Sequence, residues 1–245
     1  MISITGPGRS GTSVLAALYA ELGFDAGGQW SQELDAGYEA RDIVAVNKAI
    51  GSDLGITMTG KARGPTSFTL PQGSALSKIS KRYQLHHRLN TLPGLRAGKL
   101  GLVAWDRFDA TVEKHAATVR QLAGERQISK DPRYIYTLPV WLEAGADISH
   151  VVVTTRKLDA ALASRRDKRL VGFSSDCDAK NSLIFGVGLC LTTCLDHGVA
   201  FSLIRFPEFL NDTGALAALP LLGDVPRADL DEAVRAVVRP ELVHF

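Results

Sequence analysis

Residues 2–13 of the chain, Ile2-Ser3-Ile4-Thr5-Gly6-Pro7-Gly8-Arg9-Ser10-Gly11-Thr12-Ser13, constrain its fold more than any other stretch. Ile2 to Thr5 is short, apolar and β-branched, which predicts a buried strand. Glycines follow at 6, 8 and 11, and glycine permits tight turns and close backbone approach. From Thr12 onward, Val14, Leu15, Leu18, Tyr19 and Leu22 recur at helical spacing, with Gly23 as the stop. A strand running through a glycine loop into a helix is the start of a crossover unit. Such units build parallel sheets covered by helices on both faces.

Strand and helix patterns then alternate to the end of the chain. Strands are expected over 100–105, 126–129, 150–155 (with its three valines) and 200–206. Helices are expected over 39–50, 77–92, 110–122, 134–143, 159–166, 178–196, 207–219 and 229–238. Residues 27–36 and 60–73 read as loops. This order predicts an α/β fold, a three-layer P-loop-type parallel sheet with helices on both faces. With 245 residues and 45% hydrophobic content, the chain can bury one sizeable core. It is read as a single domain over 1–245, with an insertion of about 55–99 at the rim of the sheet.

That insertion is basic. Residues 54–105 contain no Asp or Glu, yet carry Lys61, Arg63, Lys78, Lys81, Arg82, Arg88, Arg96 and Lys99, with His86 and His87 among them. Two readings stay open, a solvated basic face and an electropositive wall beside an anionic ligand. The whole chain has a formal net charge of only +2, so no global field for nucleic acid or a membrane surface is expected. The longest apolar run, Leu183 to Leu195, is interrupted by Gly186, Gly188 and two threonines and is too short for a membrane span. No signal peptide is visible, and a cytoplasmic protein is the expectation. Cys190 and Cys194 lie four apart in that run and are expected as buried thiols. No zinc-ligand spacing surrounds them.

The chemistry of 6–13 suits a phosphate or sulfate group. The start of the following helix offers unpaired N–H groups and the positive end of its dipole. Arg9 adds a permanent charge with a bidentate fork, and Ser10, Thr12 and Ser13 add hydroxyls. The spacing from Gly6 to Gly11 matches the nucleoside-triphosphatase pattern G-x-x-x-x-G-K-S/T up to its Lys, where this chain has Thr12. The cation sits earlier instead, at Arg9.

With the cation directly before Ser10-Gly11, the loop resembles the 5′-phosphosulfate loop of sulfotransferases that use 3′-phosphoadenosine 5′-phosphosulfate (PAPS), roughly P-R/K-S/T-G-S/T-S/T. Pro7 is displaced by one, because Gly8 stands where many members have Pro. A second motif of that family is an Arg ending a strand with a Ser about eight residues on. Here Val151-Val152-Val153-Thr154-Thr155 leads to Arg156, and Ser164 follows eight residues later. A fork at a strand's carboxyl end and a hydroxyl two helical turns along can share one phosphate. Gly37-Tyr38-Glu39 with Asn47, and Lys130-Asp131-Pro132-Arg133, are similar to segments of bacterial members. Arg205-Phe206-Pro207-Glu208 resembles a late strand-to-helix step and implies a structural role only.

The resemblance implies sulfuryl transfer from PAPS to an acceptor hydroxyl or amine, with adenosine 3′,5′-bisphosphate as the other product and no metal. It implies that Gly8, Arg9, Ser10, Gly11, Thr12 and Ser13 hold the phosphosulfate, and that Arg156 and Ser164 hold the 3′-phosphate. It places Lys130 as a second cation at the leaving oxygen and Glu39, thirty residues after Arg9, as the base. Glu33, Asp35, Asp131, His86 and His87 compete for the base role, and Asp131 can instead pair with Arg133 or order the turn. Trp30, Trp141 and Phe173 are available to stack on adenine, although Trp105 and Trp141 also fit the core. Arg165, Arg166, Lys168 and Arg169 lie near the 3′-phosphate residues. The acceptor class left open is a small molecule, a glycan or a peptide-derived product. Two other functions remain: an ATP- and Mg²⁺-dependent phosphotransferase, with Asp106 as its metal-side carboxylate, and a non-catalytic nucleotide- or anion-binding protein.

Overall fold

A computed structural model describes residues 1–25, 37–54, 93–167 and 176–238, the side chains of 93–106, 165–167, 176–179, 181–183 and 185 excepted. Along the chain run β1 (Ile2–Thr5), α1 (Thr12–Glu21), α2 (Arg41–Asp53), α3 (Pro93–Gly124), β2 (Ile128–Lys130) and α4 (Tyr134–Glu143). β3 (His150–Arg156), α5 (Leu158–Asp167), α6 (Asp176–Asp196) and β4 (Ala200–Phe206) follow, then α7 (Thr213–Ala217) and α8 (Arg227–Val237). Among the described residues the four strands form one sheet in the order β2-β1-β3-β4, and every neighbouring pair is parallel. The chain is thus α/β, as its alternating pattern predicts.

The helices divide between the two faces of the sheet. In β3, Val151 and Val153 point into a core with Ile43 and Ile50 of α2, Val119 of α3, and Leu138 and Trp141 of α4. Val152 points the other way, into a core with Leu15 and Leu18 of α1 and Leu230 of α8. A strand buried on both faces requires an apolar run rather than an alternation, which is what three consecutive valines supply. Cys190 and Cys194 are both buried, as expected of apolar thiols.

Two expectations are corrected. Residues 100–105 are not a strand but part of the 32-residue α3. A six-residue apolar run reads alike as a buried strand and as one stripe of a helix. The same helix takes in 93–99 of the expected insertion of about 55–99, and residues 55–92 lie outside the described residues. Nor is 207–219 one helix. It is a 3-10 turn, Glu208–Leu210, followed by α7. Asp212 divides the two, its side chain accepting from the Gly214 N–H at 3.0 Å as an N-cap.

α1 stops where Gly23 predicts. The Gly23 N–H donates to the Ala20 carbonyl and the Phe24 N–H to the Tyr19 carbonyl, both at 3.0 Å. Gly23 takes φ 84°, the left-handed turn that this paired closure needs. The Tyr19 and Phe24 rings then meet edge-on at 5.7 Å, the apolar contact that accompanies it.

The strand order decides where a ligand can sit. The chain leaves β1 toward β2 on one side and leaves β3 toward β4 on the other. The carboxyl ends of β1 and β3 therefore border a topological switch point, where open α/β sheets present a crevice. The loop 6–11 and Arg156 are the two sides of it.

Candidate active site at the switch point

The loop after β1 is pinned to β3. Ser10 is buried, and its hydroxyl lies 2.7 Å from that of Thr154. The Ser10 N–H donates to the Pro7 carbonyl at 3.1 Å, closing a turn. Gly11 ends it at φ 91° and ψ 8°, directly before α1. A Cβ at position 11 would lie 2.6 Å from the Phe206 ring, so glycine is required for space as well as for angle. No side chain caps α1, and its first turn contains no acidic residue. The positive end of the helix is left without a carboxylate of its own.

Across the crevice stands β3. The Arg156 guanidinium carbon lies 5.2 Å from the centre of the Phe206 ring, a cation–π arrangement. The Arg9 Nε donates to the Ser164 hydroxyl at 2.9 Å, and Ser164 is buried on α5. Arg9 holds φ 75° to do so, a left-handed conformation costly for a side chain with a Cβ. Burial first, and then the Arg9 charge, hold the Arg156 guanidinium below its ordinary value, with Glu208 opposing. Two like charges kept this close favour an anion between them. The cleft here has a volume of about 240 Å³, with Pro7 and Ser10 on one side, Thr155 and Arg156 on the other, and Leu158 and Ile184 as apolar wall.

A second cluster forms one strand along. Lys130 ends β2 in register with Ile4 of β1. Its ammonium donates to Glu39 Oε1 at 2.8 Å, and both side chains are about 4% exposed or less. Arg133 Nη1 bridges two carboxylates, Glu39 Oε2 at 3.1 Å and Asp131 Oδ1 at 2.9 Å. Asp131 also accepts from the Arg133 N–H at 2.8 Å and from Asn47 Nδ2 at 2.9 Å. The Asn47 oxygen in turn accepts from the Thr137 hydroxyl at 2.7 Å and Trp141 Nε1 at 2.9 Å. Burial alone would raise the Glu39 pKa, but Lys130 and Arg133 together outweigh it and hold the carboxyl below its ordinary value.

The structure thus brings Arg9, Ser10, Arg156 and Ser164 to one crevice and joins Glu39 to Lys130 beside it. Gly8 and Gly11 lie in the loop, and Thr12 and Ser13 begin α1. Asp131 both pairs with Arg133 and orders the turn, the two structural roles foreseen for it. Trp141 is fully buried and hydrogen-bonded to Asn47, so it belongs to the core. Trp30, Glu33, Asp35, His86, His87, Lys168, Arg169 and Phe173 lie outside the described residues, as do the side chains of Trp105, Asp106, Arg165 and Arg166.

Three participants were not assigned from sequence: Arg133 as the second holder of Glu39, Asn47 as the hub behind it, and Phe206 as the ring under both Gly11 and Arg156. Asn47 had a legible signal, a polar residue inside the buried stripe Ile43, Val46, Ile50 of α2. Phe206 had none, because its contacts lie far along the chain. No protein-family model, curated protein or solved structure matches this chain.

Proposed function

We propose that this protein is a sulfotransferase of P-loop-type fold that moves a sulfuryl group from PAPS to an acceptor hydroxyl or amine. The observation carrying the reading is the meeting of Arg9, Ser10, Arg156 and Ser164 at the switch point. Two permanent cations, two buried hydroxyls and an uncapped helix start suit a ligand with two separate anionic ends, which is the chemistry of PAPS. Thr12 in place of a phosphate-binding Lys argues against an ATP-dependent phosphotransferase.

In this reading the N–H groups of 8–13 and the hydroxyls of Ser10, Thr12 and Ser13 hold the phosphosulfate end, while Arg156 and Ser164 hold the 3′-phosphate. The fixed cation Lys130 stabilises charge as it develops on the sulfuryl oxygens and the leaving phosphate oxygen. The S–O bond to the 5′-phosphate breaks and one forms to the acceptor oxygen or nitrogen. The acceptor's proton passes to Glu39, which its two cations keep ionised. Adenosine 3′,5′-bisphosphate leaves as the second product. The acceptor is a small molecule, a glycan or a peptide-derived product.

Incubation with PAPS and an acceptor panel, read by mass spectrometry, tests this. A sulfated acceptor with stoichiometric adenosine 3′,5′-bisphosphate is expected. A phosphorylated acceptor formed with ATP–Mg²⁺ instead would contradict it. The double pairing of Glu39 favours a second reading, a non-catalytic anion-binding protein, because a carboxylate held by two cations is a weak base. Nucleotide binding with no transfer to any acceptor is the outcome that reading requires.

A further inference from the structure

Arg9 was expected at the sulfuryl group, as the loop's cation. Its guanidinium takes another direction. Nε donates to the hydroxyl of Ser164, 155 residues away on α5. Ser164 is buried, and α5 directly follows the strand that ends in Arg156. The Arg9 backbone adopts φ 75°, a left-handed conformation that is unfavourable for a residue with a Cβ. Its charge acts on Arg156. The fork of Arg9, the hydroxyl of Ser164 and the fork of Arg156 are therefore one electropositive group on the β3 side of the crevice.

We propose, resting on the PAPS reading, that Arg9 is a ligand of the 3′-phosphate rather than of the sulfuryl group, and that it sets the preference of this protein for 3′-phosphorylated nucleotides. Arg9 and Arg156 then both reach the phosphate, with the Ser164 hydroxyl held at the Arg9 fork. Bidentate guanidinium contacts suit a phosphate's planar pairs of oxygens. Lys130, on the neighbouring strand, is left as the cation for the sulfuryl end. Selection is thereby built into the loop itself, since the residue that shapes the 5′ end also reads the 3′ end.

The test compares two nucleotides that share the 5′-phosphate and differ at the 3′ position, adenosine 3′,5′-bisphosphate and AMP. Calorimetry on the wild type should show the bisphosphate binding roughly tenfold or more tightly. Arg9→Gly removes the guanidinium at a φ that glycine adopts freely, so folding is spared. It should weaken the bisphosphate about tenfold while leaving AMP within about twofold, collapsing the preference. Ser164→Ala, which deletes a single hydroxyl, should erode the same preference to a smaller extent. An Arg9→Gly protein that loses both nucleotides equally would place Arg9 at the 5′ end and overturn the proposal, leaving the PAPS reading standing. A wild-type protein that binds neither nucleotide would overturn both.

Discussion

In the proposed function, single side chains divide the site into a binding half and a chemical half. Arg156 belongs to the first. Replacing it with Ala removes one permanent cation and the cation–π contact with Phe206. Charge-assisted hydrogen bonds contribute about 1.5–3 kcal/mol, so Arg156→Ala should weaken adenosine 3′,5′-bisphosphate by roughly tenfold to a hundredfold in a calorimetric titration. Glu39 belongs to the second half. Glu39→Gln should leave that affinity unchanged and lower turnover by about 10²–10⁴-fold, the usual worth of a general base. Normal turnover in the variant would remove Glu39 from the mechanism.

Glu39 also makes a prediction about stability and pH. Lys130 and Arg133 hold its carboxyl below the ordinary value of 4.5. A depressed carboxyl stabilises the fold above its unfolded pKa, and this contribution is lost as pH falls through the folded pKa. Glu39→Gln also leaves Lys130 buried without its counter-charge, a change that costs about 3 kcal/mol or more. Thermal unfolding at neutral pH should therefore show a clear loss in the variant. The gap between variant and wild type should shrink as pH falls through the depressed folded pKa, below the ordinary 4.5, where the wild-type carboxyl itself takes up a proton. A gap independent of pH would mean that the Glu39–Lys130 contact carries no net charge interaction.

At the scale of elements, local signals were legible and long-range ones were not. The helix at 134–143 and the strand ending at Arg156 follow from periodicity and from what flanks them. Residues 100–105 did not, because six apolar residues carry no period that separates a strand from a helix stripe. A family resemblance singled out Arg9 and Ser164 separately, but not their contact. It depends on how α5 is turned against the loop, which packing decides. The Asn47 hub shows the same limit, since it ties α2, the turn after β2 and α4 into one buried network. Asn47→Ala would leave Trp141 Nε1 without its partner and take one hydrogen bond each from the Asp131 carboxylate and the Thr137 hydroxyl, and buried unpaired groups cost about 1–3 kcal/mol each. A loss of about 3 kcal/mol is expected in denaturant unfolding, with the m-value unchanged. At the other cluster, Gly11→Ala meets both the Phe206 ring at 2.6 Å and an unfavourable φ. It should lower stability and nucleotide affinity together, because the same turn aims the start of α1.

The whole molecule is a sheet whose crossing order opens a crevice, with cations gathered on both sides of it. Among the described residues no helix is long and apolar enough to cross a membrane. Each of the two central strands carries one element of the candidate site at its carboxyl end, and β2 adds Lys130 beside them. A ligand bound there bridges loop 6–11, β3 and α5, so it should stabilise the folded chain as a unit. Saturation at a hundred times Kd adds about 2.7 kcal/mol, which thermal unfolding resolves.

The most direct measurement is thermal unfolding of the wild type with adenosine 3′,5′-bisphosphate and, separately, with ATP–Mg²⁺. A concentration-dependent rise in Tm with the bisphosphate and none with ATP–Mg²⁺ is predicted. A rise with ATP–Mg²⁺ and none with the bisphosphate would contradict the account, returning the loop to nucleoside-triphosphate chemistry and leaving the Arg9, Arg156 and Ser164 cluster without its phosphate.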